Sequence, residues 1–141
     1  MKKVLSMMLA VLLLFTVSAF ADGTDTVAWG EYGRVQMTEV TEWNDGMSYK
    51  VDGNPEGKWA VVVFTILDGG EYPTDALTLA DEILRLDDYT VAKRAANGGV
   101  MNATTGEIKL TGTMAFFFDV PPDYDVSQAV VTVNGSPLTL P

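Results

Sequence analysis

The chain has 141 residues, with 9 Lys and Arg against 19 Asp and Glu, a formal net charge of −10, and neither cysteine nor histidine. Without those two residue types there is no Ser-His-Asp or Cys-His catalysis, no Cys/His zinc site, no blue-copper site and no disulfide. The acidic balance repels nucleic acid and anionic membranes, so neither is expected as a partner.

Met1-Lys2-Lys3 is a positive start, followed by a charge-free apolar run from Val4 to Ala21 that ends in Ala19-Phe20-Ala21. Polar Asp22-Gly23-Thr24-Asp25 comes straight after it. A basic n-region, an apolar h-region and a small-x-small end make residues 1–21 a cleavable secretory signal peptide. Cleavage leaves residues 22–141 as one domain of about 120 residues with no attachment to a membrane. It takes the basic residues from 9 to 7 against the same 19 acidic ones, a net charge of −12. A secreted location follows, or a periplasmic one where there is an outer membrane. An exported chain of this size without disulfides must stand on hydrophobic burial alone.

In chain order, Thr26 to Trp29 opens a first strand. Arg34 to Trp43 alternates apolar and polar residues and changes phase at Val40, which a bulge explains. Asn44-Asp45-Gly46 and Asp52-Gly53-Asn54-Pro55 are turn signals around a short edge strand, Met47 to Val51. Lys58 to Leu67 (KWAVVVFTIL) is the strongest strand, with Trp59, Val61 and Val63 on one face and Ala60, Val62, Phe64 and Ile66 on the other. Both faces are apolar, so it is expected to be central and covered on both sides.

Glu71 to Met101 is ambiguous. Ala76, Leu77, Ala80, Ile83 and Leu84 have helical spacing, and Thr78 with Asp81 has the form of a capping box. Leu77/Leu79 and Leu84/Leu86 alternate as strands do, and the reading leans to short strands with loops, ended by Asn97-Gly98-Gly99. Glu107 to Val120 resumes strand character. Its three consecutive phenylalanines split by alternation: Phe116 and Phe118 point into the core with Met114 and Val120, while Phe117 points the other way with Ala115 and Asp119. Phe117 is expected to lie under the 71–101 segment or to be exposed to a ligand. Pro121 and Pro122 remove two consecutive backbone donors and stop the strand. Asn134-Gly135, between Gln128–Val133 and Ser136–Leu140, is a strong hairpin signal.

Several short strands at this spacing give an all-β fold, an antiparallel β-sandwich of immunoglobulin-like type. A Val-rich strand ending in Asp68-Gly69-Gly70, followed later by Gly112-x-x-x-Phe116-x-Phe118-Asp119-Val120-Pro121 and a last apolar strand, resembles the telokin-like, immunoglobulin-like extracellular domains of bacterial secreted proteins. The resemblance spans roughly residues 27–140, through Gly112, Phe118, Val120 and Pro121. It implies fold and compartment and carries no functional residue. The lipid-anchoring cysteine common in that family is missing, and Asp68 stands where the family commonly has Asn.

Chemistry is left to carboxylates and aromatics. Asp119, Asp123 and Asp125 flank the Pro-Pro bend and are the candidate ligands for calcium, which takes several loop oxygens, although no EF-hand spacing is present. No other cofactor is expected. Asp81, Glu82, Asp87 and Asp88 form a second acidic group. A carboxylate pair for glycoside hydrolysis would need a cleft that so small a domain has little room for, so an enzyme is not expected. Trp59 reads as core, whereas Trp43 beside the 44–46 turn reads as the exposed aromatic, an anchor for carbohydrate or protein. Trp43 and Phe117 are therefore the candidate ligand-binding residues. The expected function is a secreted, non-catalytic, monomeric binding or adhesion module. The alternative is a self-associating envelope protein, joined through an edge such as Ser136–Leu140.

Overall fold

The computed structural model describes residues 25–43, 51–67 and 70–140. The expected signal peptide and the expected Met47–Val51 strand, apart from Val51 itself, lie outside the described residues. What is described is an antiparallel two-sheet β-sandwich, as the strand pattern predicts.

The larger sheet runs β1 (Thr26–Trp29), β2 (Gly33–Glu42), β3 (Lys58–Ile66), then β7 (Ile108–Val120). The 13 residues of β7 are long enough to serve three partners. One rim pairs with β3 and then with the two-residue β4 (Tyr72–Pro73); the other pairs with β6 (Lys93–Met101). The smaller sheet is β5 (Leu84–Leu86), β8 (Val131–Val133) and β9 (Ser136–Leu138). The phase change predicted in the second strand is a register shift between Met37 and Glu39 in the β2–β3 ladder. The Asn134-Gly135 hairpin joins β8 to β9 with φ of 53° and 82°, the left-handed pair that this dipeptide adopts most easily.

Alternation along β3 and β7 divides the interior in two. Ala60, Val62, Phe64, Met114, Phe116 and Phe118 face the small sheet and meet Leu84, Leu86, Val131, Val133 and Leu138. Trp29 lies among them, its ring 5.1 Å from that of Phe64 and 5.5 Å from that of Phe116. Its indole N–H donates to the Ala76 carbonyl at 2.8 Å, so even the polar corner of this buried ring is satisfied. On the outer face of the same strands, Trp59, Val61, Val63, Ala115 and Phe117 form a second buried cluster, with Trp43, Val51 and Ala95 packed against it. Phe117 is thus fully buried. Of the 71–101 segment expected over it, only Ala95 takes part in that cluster, and Phe117 presents no surface to a ligand.

Both readings of 71–101 are partly right. Two single turns, α1 (Asp75–Thr78) and α2 (Ala80–Ile83), bury Ala76 and Ala80 at helical spacing. Leu84 and Leu86 then alternate into the core as β5. The capping box does not form: the Thr78 hydroxyl donates back to the Asp75 carbonyl at 2.8 Å. Nor does Asn97-Gly98-Gly99 end the element, because β6 runs on to Met101 with an irregularity there.

One tie fastens the connection after β5 to the segment after the Pro-Pro bend. Asp87, at a left-handed φ of 51°, accepts the Tyr124 hydroxyl proton on one carboxylate oxygen, and its amide donates to the Val130 carbonyl at 2.8 Å. Burial, and then the Asp87 carboxylate, raise the Tyr124 pKa above the ordinary phenol value. A folded pKa above the unfolded one means that this contribution is complete below about pH 10 and is lost as pH rises past it. The melting temperature is therefore expected to fall on the alkaline side of that value. Tyr124→Phe should lower it at neutral pH and flatten the alkaline fall. An alkaline limb of equal steepness in the variant, measured by calorimetry across pH, would contradict the assignment.

Candidate functional site

The site that gathers most of the sequence's candidates is the end of the sandwich where β2 leaves and β3 begins. Trp43 follows β2 directly, and its backbone N–H donates to the Trp59 carbonyl at 3.0 Å, carrying the ladder one step further. Beside it, Lys58 and Glu42 make a salt bridge of 2.9 Å, largely solvated and of small energetic weight. The approach to β3 is fixed from the opposite strand. The two oxygens of Asp119 accept the backbone N–H groups of Glu56 at 2.8 Å and Gly57 at 3.0 Å. Asp119 faces Trp59 in the β3–β7 register, so a carboxylate at that position can hold the incoming loop only from there.

Trp43 is the wall shared by two hollows. One, of about 290 Å³, has Trp59, Val51, Asn54, Pro55 and Lys58 in its lining. The other, of about 500 Å³, is lined by Thr41, Glu42, Asp125 and Ser127 among others. Trp43 is half-buried, yet its indole N–H is shielded from solvent and, among the described residues, has no hydrogen-bond partner. A buried donor left without an acceptor costs about 1–3 kcal/mol, so it is a place where an incoming oxygen is rewarded. The sequence reading of Trp43 as an anchor thus falls on a half-buried ring with an unmet donor, rather than on a fully exposed one.

Of the three aspartates expected as calcium ligands, Asp119 and Asp125 accept hydrogen bonds from nearby backbone groups. Asp119 caps the 56–57 turn. Asp125 accepts from the Ser127 amide at 3.0 Å and its hydroxyl at 2.6 Å, capping the 3₁₀ turn Val126–Gln128. Asp123 is exposed on the bend between them. Among the described residues no group of three or more acidic side chains is placed to hold a metal ion. In the second acidic group, Asp81 pairs with Arg94 and Asp87 with Tyr124. Asp25 accepts the Gln36 amide at 2.7 Å, which holds its carboxyl below the usual carboxylate value.

Thr41, Asn54, Lys58 and Ser127 were not singled out by the sequence. Thr41 lies in β2 just before Trp43, and the fold brings the other three to the same end. A further groove of about 520 Å³ opens between β1 and β9, lined by Val27, Ala28, Val133, Pro137 and Leu138 among others. No described helix is long and apolar enough to cross a membrane. No protein-family model matches the chain, and neither a curated protein nor a solved structure matches it.

Proposed function

We propose that this chain is an exported, non-catalytic binding module of immunoglobulin-like type whose ligand is a neutral carbohydrate held at Trp43. The observation that carries the reading is the buried indole N–H, without an acceptor among the described residues, on a ring flanked by two hollows. A sugar offers what this place lacks: ring and hydroxyl oxygens for the N–H, and an apolar C–H face for an aromatic surface. The polar groups around Trp43 suit hydroxyls in both directions. Glu42 and Asp125 accept, Lys58 donates, and Thr41, Ser127 and Asn54 do either. A net charge of −10 disfavours acidic polysaccharides, so the neutral class is favoured.

The test is isothermal titration of the purified protein with neutral oligosaccharides of varied linkage. Binding is expected to weaken at least about tenfold in Trp43→Ala and about fivefold in Trp43→Phe, which keeps a ring but removes the donor. Absence of binding to every neutral oligosaccharide, or binding indifferent to Trp43→Ala, would defeat the reading.

The second reading, self-association, gains nothing from Ser136–Leu140. That edge is the three-residue β9 with Pro137 at its centre, a short strand bearing a residue that discourages pairing.

A further inference from the structure

Gly57 lines two hollows at once. One is the 290 Å³ hollow beside Trp43; the other, of about 550 Å³, has Tyr89, Asp119 and Pro121 in its wall. With the hollow on the far side of Trp43, three hollows adjoin in series round one end of the sandwich, meeting at Trp43 and at Gly57. The register accounts for this order. Glu42 pairs with Ala60, the next step joins Trp43 to Trp59, and Trp59 faces Asp119. Trp43 and Asp119 are therefore two strand spacings apart, about 10 Å. A single sugar ring is shorter than that.

The Tyr89 hollow has the parts of a sugar subsite of its own. Its aromatic ring is half-buried and held in place before any ligand arrives. The ring meets Tyr124 edge-on at 5.4 Å, and the Tyr89 backbone exchanges hydrogen bonds with Leu86 at 2.8 and 3.2 Å. A side chain already ordered loses little freedom on binding. Glu56 and Asp119 line the same hollow as acceptors. Each Asp119 oxygen takes one backbone N–H and keeps a lone pair for a hydroxyl. We propose that the ligand is a linear neutral oligosaccharide several units long, with Tyr89 the platform for units beyond the one at Trp43. The inference rests on the Trp43 reading and extends it along the end of the sandwich. The two carboxylates of the Tyr89 hollow repel carboxylate or sulfate groups, so an acidic chain is excluded there as well.

The experiment is isothermal titration of the expressed full chain with linear oligosaccharides of glucose, mannose, xylose and N-acetylglucosamine, each from disaccharide to hexasaccharide. In a series that binds, affinity is expected to rise at least about tenfold from the disaccharide to the hexasaccharide. Tyr89→Ala should weaken the hexasaccharide about tenfold and leave the disaccharide, held at Trp43, within about twofold. Tyr89 also packs against the core, so Glu56→Arg, at an exposed position, repeats the test without disturbing it. It should weaken the hexasaccharide at least about fivefold. Trp43-dependent binding that is equally tight for disaccharide and hexasaccharide would overturn this inference and leave the Trp43 reading standing. So would hexasaccharide binding indifferent to both Tyr89→Ala and Glu56→Arg. Absence of binding in every series, or binding indifferent to Trp43→Ala, would overturn both.

Discussion

Replacing Phe116 with alanine is expected to destabilise the fold by about 3–5 kcal/mol, lowering the melting temperature by at least about 10 °C. Phe116 is fully buried between the sheets, pairs with Val62 across the β3–β7 ladder, and stacks with Trp29 at 5.5 Å and meets Phe64 at 6.1 Å. Its removal leaves a hole bounded by two rings on a rigid ladder, which cannot collapse to fill it. Phe117→Ala is the informative comparison. It is equally buried, but its cluster holds five buried residues and rests on Trp59 at 6.1 Å. A loss of about 2–3 kcal/mol is expected there, because a smaller cluster can relax into the gap. Ile108→Ala, at an exposed position, should fall within about 0.5 kcal/mol of the parent. Equal losses for Phe116 and Ile108, measured by urea unfolding, would contradict the assignment of the two faces.

Gly57→Ala is expected to cost about 3 kcal/mol although Gly57 has no unusual φ. A Cβ there would stand 2.0 Å from the Val120 carbonyl oxygen and 2.9 Å from its carbon, both backbone atoms of the neighbouring strand. The loop must move away, and the hydrogen bonds from Glu56 and Gly57 to Asp119 go with it. Gly53 reverses the comparison: its φ is +82°, but nothing lies within 4 Å of an added Cβ. Gly53→Ala therefore costs only the left-handed strain, about 1–2 kcal/mol. Chemical denaturation of the two variants should rank Gly57→Ala as the more damaging. The reverse order would mean that β7 does not hold the loop as described.

Much of this fold was legible in the sequence because its information is local and periodic. The alternation in Lys58–Ile66 and Met114–Val120 told both which strands are central and that Phe116 and Phe118 part company with Phe117. The Asn134-Gly135 hairpin followed from the left-handed tolerance of two residues. β6 was not legible. Its residues, Lys93 to Met101, have almost no apolar alternation, and none of them is fully buried. It is a strand because β7 supplies the backbone partners, and backbone pairing leaves no mark in side-chain pattern. The segment 71–86 misled for a different reason: two single helical turns and a three-residue strand are each shorter than the period that would identify them. The site was legible only in part. Trp43 stood out beside a turn, but Asn54, Lys58 and Ser127 reach its two hollows only through the fold, and Thr41, just before it in β2, carries no signal of its own. Asp119 has the right residue type for a cation, and only the register opposite Trp59 reveals that it also meets two backbone N–H groups.

The reading turns most directly on the Trp43 indole N–H, and a proton–nitrogen correlation spectrum reads that atom itself. The chain has three tryptophans, hence three indole signals, assignable by substituting each in turn. On titration with a neutral oligosaccharide, the Trp43 signal is expected to move downfield as its proton gains an acceptor. The Trp29 signal, already bonded to the Ala76 carbonyl, should stay in place. A Trp43 signal that remains still at saturating sugar, or that moves no more than that of Trp29, would contradict the account.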